Sequence, residues 1–262
     1  MVIDTCTYIG HWPFRKLSCN TLAQTAARAE KAKITHIVCT NLNAIFYIDP
    51  MEGNREFLEE IKAYKGSVTV LPFAVINPTY IEWERDLREC AELGFAGIQL
   101  APQYHGYSLA DWRAAEAYRI AGELGLAVKI DVGFENIRQR SPLDTYQDVS
   151  GSELAALFSV SEKPVTIVST AYPTYMGSAV IDAANKRDNV FFNLIYTDSF
   201  TDGQLEDCLS RYGAKRLCFG TQTPFRYIEP QFVKLFCSEA TNDAQREEIL
   251  YKNLQGKIKG CE

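Results

Sequence analysis

Eight short apolar segments, each followed by a stretch of helical character, recur along this chain and leave few folds open to it. The segments span residues 2–10, 34–40, 68–76, 95–100, 127–132, 164–169, 189–195 and 216–220, and they are rich in Val, Ile, Leu and Phe. Their length suits strands. Helical stretches follow at 20–30, 54–64, 79–93, 108–122, 153–158, 178–186 and 202–211, with a final pair between 229 and 254. Ser108 and Asp111 read as a variant capping box at the head of the fourth helix.

Such alternation predicts a parallel sheet covered by helices. With 262 residues in all, each of the eight units has about 33 residues, the size of a βαβ repeat. The economical closure is an α/β (β/α)8 or TIM barrel, a single domain over residues 1–262 with C-terminal helices at about 229–254. A doubly wound sheet would want a Gly-rich phosphate turn after its first strand. Gly10, His11, Trp12, Pro13 and Phe14 do not make one.

A formal charge of -6 argues against nucleic-acid binding, which needs clustered Lys and Arg. No apolar run is long enough to cross a bilayer, and the start of the chain lacks the basic and apolar regions of a signal peptide. The expectation is a cytoplasmic protein with no membrane partner. Its cysteines, at 6, 19, 39, 90, 208, 218, 237 and 261, form no C-x-x-C and read as free thiols.

In such barrels the reactive groups gather at the C-terminal ends of the strands, and the interior is ordinarily apolar. Here alternation turns Val128, Ile130 and Val132 toward the helices and Lys129 and Asp131 inward. Gln99, Asn193, Asp4 and Cys6 are placed inside by the same rule, and Tyr8 shares the face of Asp4 and Cys6. A buried Lys and Asp imply a polar network, a ligand, or an ion pair that only fixes the barrel. Asp131 is the candidate general base, and Lys129 would hold it ionised or stabilise developing negative charge.

The loops beyond these ends carry His11, Trp12 and Arg15; Gln103, Tyr104 and His105; and Glu135 and Arg138. Together they would form an aromatic pocket for a small carboxylate gripped by Arg. The alternative is that Trp12 and Phe14 plug the mouth while the arginines stay solvated. His36 should pack with Ile34 and Val38 as a core histidine. Cys6, Cys39 and Cys218, near the ends of adjacent strands, could form a thiolate metal site, although zinc-ribbon spacing is absent.

Ile3 and Asp4 leading to Ile9 and Gly10, the turn His11 to Arg15, Gly97 to Pro102, and Phe219 to Phe225 resemble the first, fourth and eighth strand segments of the amidohydrolase-related (amidohydrolase 2) family. That resemblance implies a TIM barrel of the metal-dependent hydrolases and decarboxylases, with the site at the C-terminal mouth. The family pattern ends strand one with His-x-His, adds a histidine after strand five or six, and ends strand eight with an aspartate. This chain has Cys6 and Tyr8 at the first two positions, no histidine in residues 166–171, and Gln222 for the aspartate. Phenol and amide are poor substitutes for zinc ligands, so no metal is expected and a catalytic zinc is disfavoured.

Three functions follow. The first is a metal-independent hydrolase or lyase for a small carboxylate or lactone, as in the family's metal-free lactonases. Asp131, Lys129, Asp4, Cys6 and Gln222 would be its catalytic set, and Tyr8, His11, Trp12, Arg15, Gln99, Tyr104, His105, Glu135 and Arg138 would bind substrate. The second is an inactive barrel that binds a small ligand or partner. The third is a metal enzyme with a relocated site built from His11, His105 and Cys6 or Asp4. A homo-oligomer is compatible with all three.

Overall fold

A computed structural model of the chain describes residues 1–136, 138–169, 176–195 and 203–262. Residues 170 and 171 of the segment compared with the family, and the expected helix start at 202, lie outside them. The strands are β1 (Ile3–Ile9), β2 (His36–Asn41), β3 (Thr69–Ile76), β4 (Gly97–Leu100), β5 (Ala127–Asp131), β6 (Thr166–Ser169), β7 (Val190–Asn193) and β8 (Leu217–Cys218). They lie in sequence order as one sheet, and the pairings are parallel throughout. Thr5 N donates to Phe219 O at 3.0 Å, Tyr8 N donates to Thr223 O at 2.8 Å, and Thr7 bridges Thr223, so β1 meets the chain just past β8. The (β/α)8 barrel expected from the alternation is the fold observed.

The principal helices between strands are α1 (Leu22–Lys31), α3 (Pro50–Ala63), α4 (Trp83–Glu92), α6 (Trp112–Glu123), α7 (Gly151–Phe158), α8 (Ser178–Asn185) and α9 (Gln204–Tyr212). Two single-turn helices, α2 (Asn43–Phe46) and α5 (Pro102–His105), were not expected and sit past the ends of β2 and β4. After β8 come α10 (Glu229–Cys237) and α11 (Asp243–Glu247). No helix among the described residues is long and apolar enough to cross a membrane.

Helix starts follow the capping side chains. α3 begins earlier than its apolar pattern suggests, because Asp49 accepts from Met51 N and Pro50 occupies the first turn. The expected capping box at Ser108 is replaced by Asp111, which accepts from Arg113 N. Ser108 instead donates to Glu153 at 2.6 Å, and Glu153 closes a true capping box with Ser150 at the head of α7.

Alternation sorts the core into shells. Ile37, Cys39, Ile98, Val128, Ile130, Val168 and Phe192 face the helices, where they meet Leu22, Phe57, Leu87, Tyr118 and Leu157. Ile3, Val38, Leu71, Phe73, Ile167, Phe191 and Cys218 fill the bottom of the barrel, closed by Leu254 and Ile258. Above them lie fully buried polar groups: Thr5, Gln99, Lys129, Asp131, Ser169 and Asn193. Val38 thus points into the barrel. His36, on the same alternation, is not a core histidine among the helices; it is half-buried at the start of β2, with Thr35 Oγ1 2.9 Å from its Nδ1. Cys39 points to the helices, away from Cys6 and Cys218, so the three thiols do not converge. All eight cysteines are free, and all but Cys237 are buried.

Asp4 does not stay on the face of Cys6 and Tyr8. The β1–β2 register shifts between Asp4 and Thr7, and the Asp4 carboxylate turns to the β8 end. There it accepts from Thr221 N at 2.9 Å and from Thr221 Oγ1, as well as from Cys6 N at 3.1 Å. Burial raises its pKa to about 6 from 3.8, against the lowering effect of these hydrogen bonds. A carboxyl that binds its proton more tightly folded than unfolded favours the folded state below the unfolded pKa and loses that contribution as pH rises through about 6. The loss should be on the order of 3 kcal/mol between pH 4 and pH 7.5. Urea denaturation at both pH values should show that slope in the native protein and a flatter one in Asp4→Asn. Parallel slopes would mean that Asp4 does not titrate in this range.

Candidate active site

The fifth strand supplies the centre of the site. Lys129 pairs in register with Gln99 and Ile167, and Asp131 with Ser169, so neighbouring strands present their side chains to the two ionisable groups. Asp131 Oδ2 accepts from the Tyr8 hydroxyl at 2.6 Å and from Gln99 Nε2 at 2.8 Å. Cys6 Sγ lies 3.4 Å from the Tyr8 oxygen and 3.8 Å from Asp131 Oδ1. Across β6 and β7, Asn193 donates to Ser169 Oγ at 2.7 Å.

Lys129 is the unusual member. Its Nζ is 3.7 Å from Asp131 Oδ2, outside good hydrogen-bond range, and stands 4.0 Å from the centre of the Tyr8 ring. It has no hydrogen-bond acceptor among the described residues, although it is completely buried.

Protonation states follow from the packing. Burial, reinforced by the Asp131 charge, holds the Tyr8 hydroxyl well above the usual tyrosine range, so it remains a donor. Burial also pushes the Cys6 thiol up to about 12. Cys6 is therefore a neutral thiol near pH 7 and a poor nucleophile.

The mouth is filled by rings. Trp12 is buried, and its ring centre lies between 4.9 and 5.7 Å from those of Phe14, Phe46, Tyr104, Phe134 and Phe225. Its indole N–H donates to Glu135 at 3.0 Å, and Arg15 Nε donates to the other oxygen of the same buried carboxylate. Gln222, with φ at +59°, donates to Phe134 O at 2.7 Å and accepts from Arg226. In place of the aspartate of the family pattern, this amide ties down the loop after β5.

The open pocket with two histidines and two arginines is therefore not assembled. His11 is exposed beside Asn20. Arg138 is exposed on the surface, its backbone N–H capped by Asn136. Arg15 is engaged by Glu135, so a substrate carboxylate would have to compete for it. His105 makes its contact with Ile45 O at 3.0 Å, and burial lowers its pKa to about 4, leaving it neutral. The relocated metal site from His11, His105 and Cys6 or Asp4 does not form either. Among the described residues no group of three or more His, Cys, Asp or Glu side chains converges.

Beside the ring cluster lies an open cavity of about 640 Å³ lined by Gln103, Tyr104, Tyr107, Asp144, Tyr146 and Asp148. Phe14 and Tyr104 belong to both. Gln103 reaches back from this cavity to the backbone carbonyls of Asp131 and Val132. Arg140 stacks 3.8 Å from the Tyr146 ring centre and holds Asp148 at 2.6 Å, while Tyr146 accepts from Phe134 N at 2.7 Å. Sequence reading missed Arg140, Asp144, Tyr146 and Asp148. They lie in the long connection after β5, where no periodicity assigns a facing direction.

A sequence model of the family described as amidohydrolase matches residues 22–161, more than half of the chain. The chain belongs to the amidohydrolase family. No curated protein matches it in sequence. Among solved structures, a dihydroxybenzoic acid decarboxylase from Polaromonas sp. JS666, with bound manganese and 2-nitroresorcinol, is 15% identical with a TM-score of 0.68, covering 98% of this chain and 96% of that chain. A 5-carboxyvanillate decarboxylase from Sphingomonas paucimobilis is 10% identical with a TM-score of 0.71, covering 96% and 97%. A probable 2-pyrone-4,6-dicarboxylic acid hydrolase from Acinetobacter baumannii, with citric acid bound, is 13% identical with a TM-score of 0.62, also covering 96% and 97%. At these identities the likeness is one of fold.

Within this family member, the groups that the described residues place around Asp131 do not fit a divalent cation. The nearest donors among them are a thiol, a phenol and an amide, and the amine of Lys129 already stands by the carboxylate.

Proposed function

We propose that this chain is a hydrolase or lyase for a small carboxylate or lactone, working through Asp131 and Lys129 without a catalytic metal. The observation that carries this reading is the buried amine of Lys129, which has no hydrogen-bond acceptor among the described residues and lies 3.7 Å from a carboxylate already engaged by Tyr8 and Gln99. An amine so placed offers its positive charge to an anion forming beside it, and Asp131 can take or return the proton. Tyr8 and Gln99 fix the orientation of Asp131. The ligands named for the similar solved structures, 2-nitroresorcinol and citric acid, are small and oxygen-rich, and citric acid is a carboxylic acid.

Chelator-treated protein should turn over at least one member of a panel of lactones, dihydroxybenzoates and short-chain carboxylates, and Asp131→Asn should lower that turnover by about 10²-fold or more. Activity that vanishes with the chelator and returns with manganese or zinc would overturn the metal-independent reading.

A second reading, a barrel that binds without turnover, draws on the complete burial of Cys6, Tyr8, Lys129 and Asp131 beneath the rings. A ligand that raises Tm in the same panel without any product would favour it.

A further inference from the structure

Resting on the reading that the Asp131 centre handles small carboxylates, we propose that Lys129 is a covalent nucleophile. Its substrates would be 3-oxo acids, decarboxylated through an imine with the lysine amine. A structural Lys–Asp pair closes to a charge-assisted hydrogen bond of about 2.8 Å. Here the gap is 3.7 Å, and Asp131 Oδ2 is occupied by Tyr8 and Gln99. The Lys129 amine thus reaches no hydrogen-bond acceptor among the described residues, so its lone pair, once deprotonated, is committed to none of them. The neighbouring thiol of Cys6, held protonated by burial, does not compete for a carbonyl carbon.

Lys129 first passes a proton to Asp131, and its lone pair attacks the ketone carbon. The resulting carbinolamine loses its oxygen as water, which takes one hydrogen from the amine and one proton from Asp131, leaving the iminium. The bond to the carboxylate carbon then breaks. Its electron pair flows into the iminium to give an enamine, and CO2 departs. The enamine carbon takes a proton from solvent, and water hydrolyses the new iminium, returning the amine and giving its spare proton to Asp131. In sum, one oxo acid anion and one proton become a ketone and CO2.

The surroundings suit the loss of charge in that step. Rings of Phe134 and Phe225 lie 5.8 and 5.5 Å from that of Tyr8, so a carboxylate held beside them is poorly solvated and neutral CO2 is not. The iminium supplies the electron sink from the chain's own residues.

The test incubates the folded full-length protein with acetoacetate and sodium cyanoborohydride, followed by peptide mass mapping. The expected result is a near-stoichiometric reduced adduct on the peptide containing Lys129, progressive loss of acetone formation only when both reagents are present, and no such adduct in Lys129→Arg. Lys129→Arg keeps the charge but cannot form the imine, and its Tm shows whether it folds. Turnover of a lactone or another carboxylate without an adduct at Lys129 would overturn the covalent route and leave the broader reading standing. Adducts confined to other lysines would also overturn it. Neither turnover nor adduct in the folded native protein would overturn both.

Discussion

Replacing Asp131 by asparagine is expected to lower kcat/KM by about 10²- to 10⁴-fold, the usual contribution of a positioned general base. Asparagine keeps an oxygen for the Tyr8 and Gln99 hydrogen bonds, so the network geometry should survive. What disappears is the charge that faces the Lys129 amine inside a completely buried layer. Leaving one buried charge without its partner costs about 3–5 kcal/mol, whereas replacing both partners by groups of similar volume is often neutral. Asp131→Asn should therefore be both much less active and destabilised. Adding Lys129→Met should restore much of the stability and none of the activity. Denaturation of the single and double variants gives the coupling energy directly. Strictly additive losses would mean that the two side chains do not interact, and turnover retained in Asp131→Asn would remove it from the chemistry.

Truncation of Trp12 to alanine should cost about 3–5 kcal/mol, the range for deleting a buried aromatic side chain. The reason is its central place: five rings pack around it, and Glu135 is oriented by its indole. For a chain of this size that corresponds to a fall in Tm of about 10 °C. Trp12→Phe retains most ring contacts and loses the hydrogen bond to a carboxylate, a smaller cost of about 1.5–3 kcal/mol. Calorimetry of the two variants should rank them in that order. A Tm unchanged within 2 °C in Trp12→Ala, on the scale set by the about 10 °C expectation, would show that the rings do not hold the mouth together. Because the rings close over Asp131, Trp12→Phe should alter KM more than the pH dependence of kcat, as no titrating group changes.

Several features were legible in the chain because they rest on period and order. Strand–helix alternation fixes a parallel sheet, and a period of two on β5 sets Lys129 and Asp131 against Val128 and Ile130. The same rule failed for Asp4, because a shift of register within β1 breaks the alternation, and no local residue signals such a shift. It failed for His36 because the choice of which alternate face points inward depends on neighbouring strands, not on His36 itself.

The mouth depended on tertiary structure for a different reason. Loops have no period, so the side chains at positions 11 to 15, 103 to 105 and 135 to 138 could be named but not aimed. Sequence placed Trp12, Arg15 and Glu135 at the right end of the barrel. Only three-dimensional packing put Arg15 and Trp12 on the same buried carboxylate, left His11 and Arg138 in solvent, and closed the rings over Asp131. Burial inside a barrel follows from covalent order and alternation. Contact between loops follows from long-range packing, which no short stretch of sequence encodes.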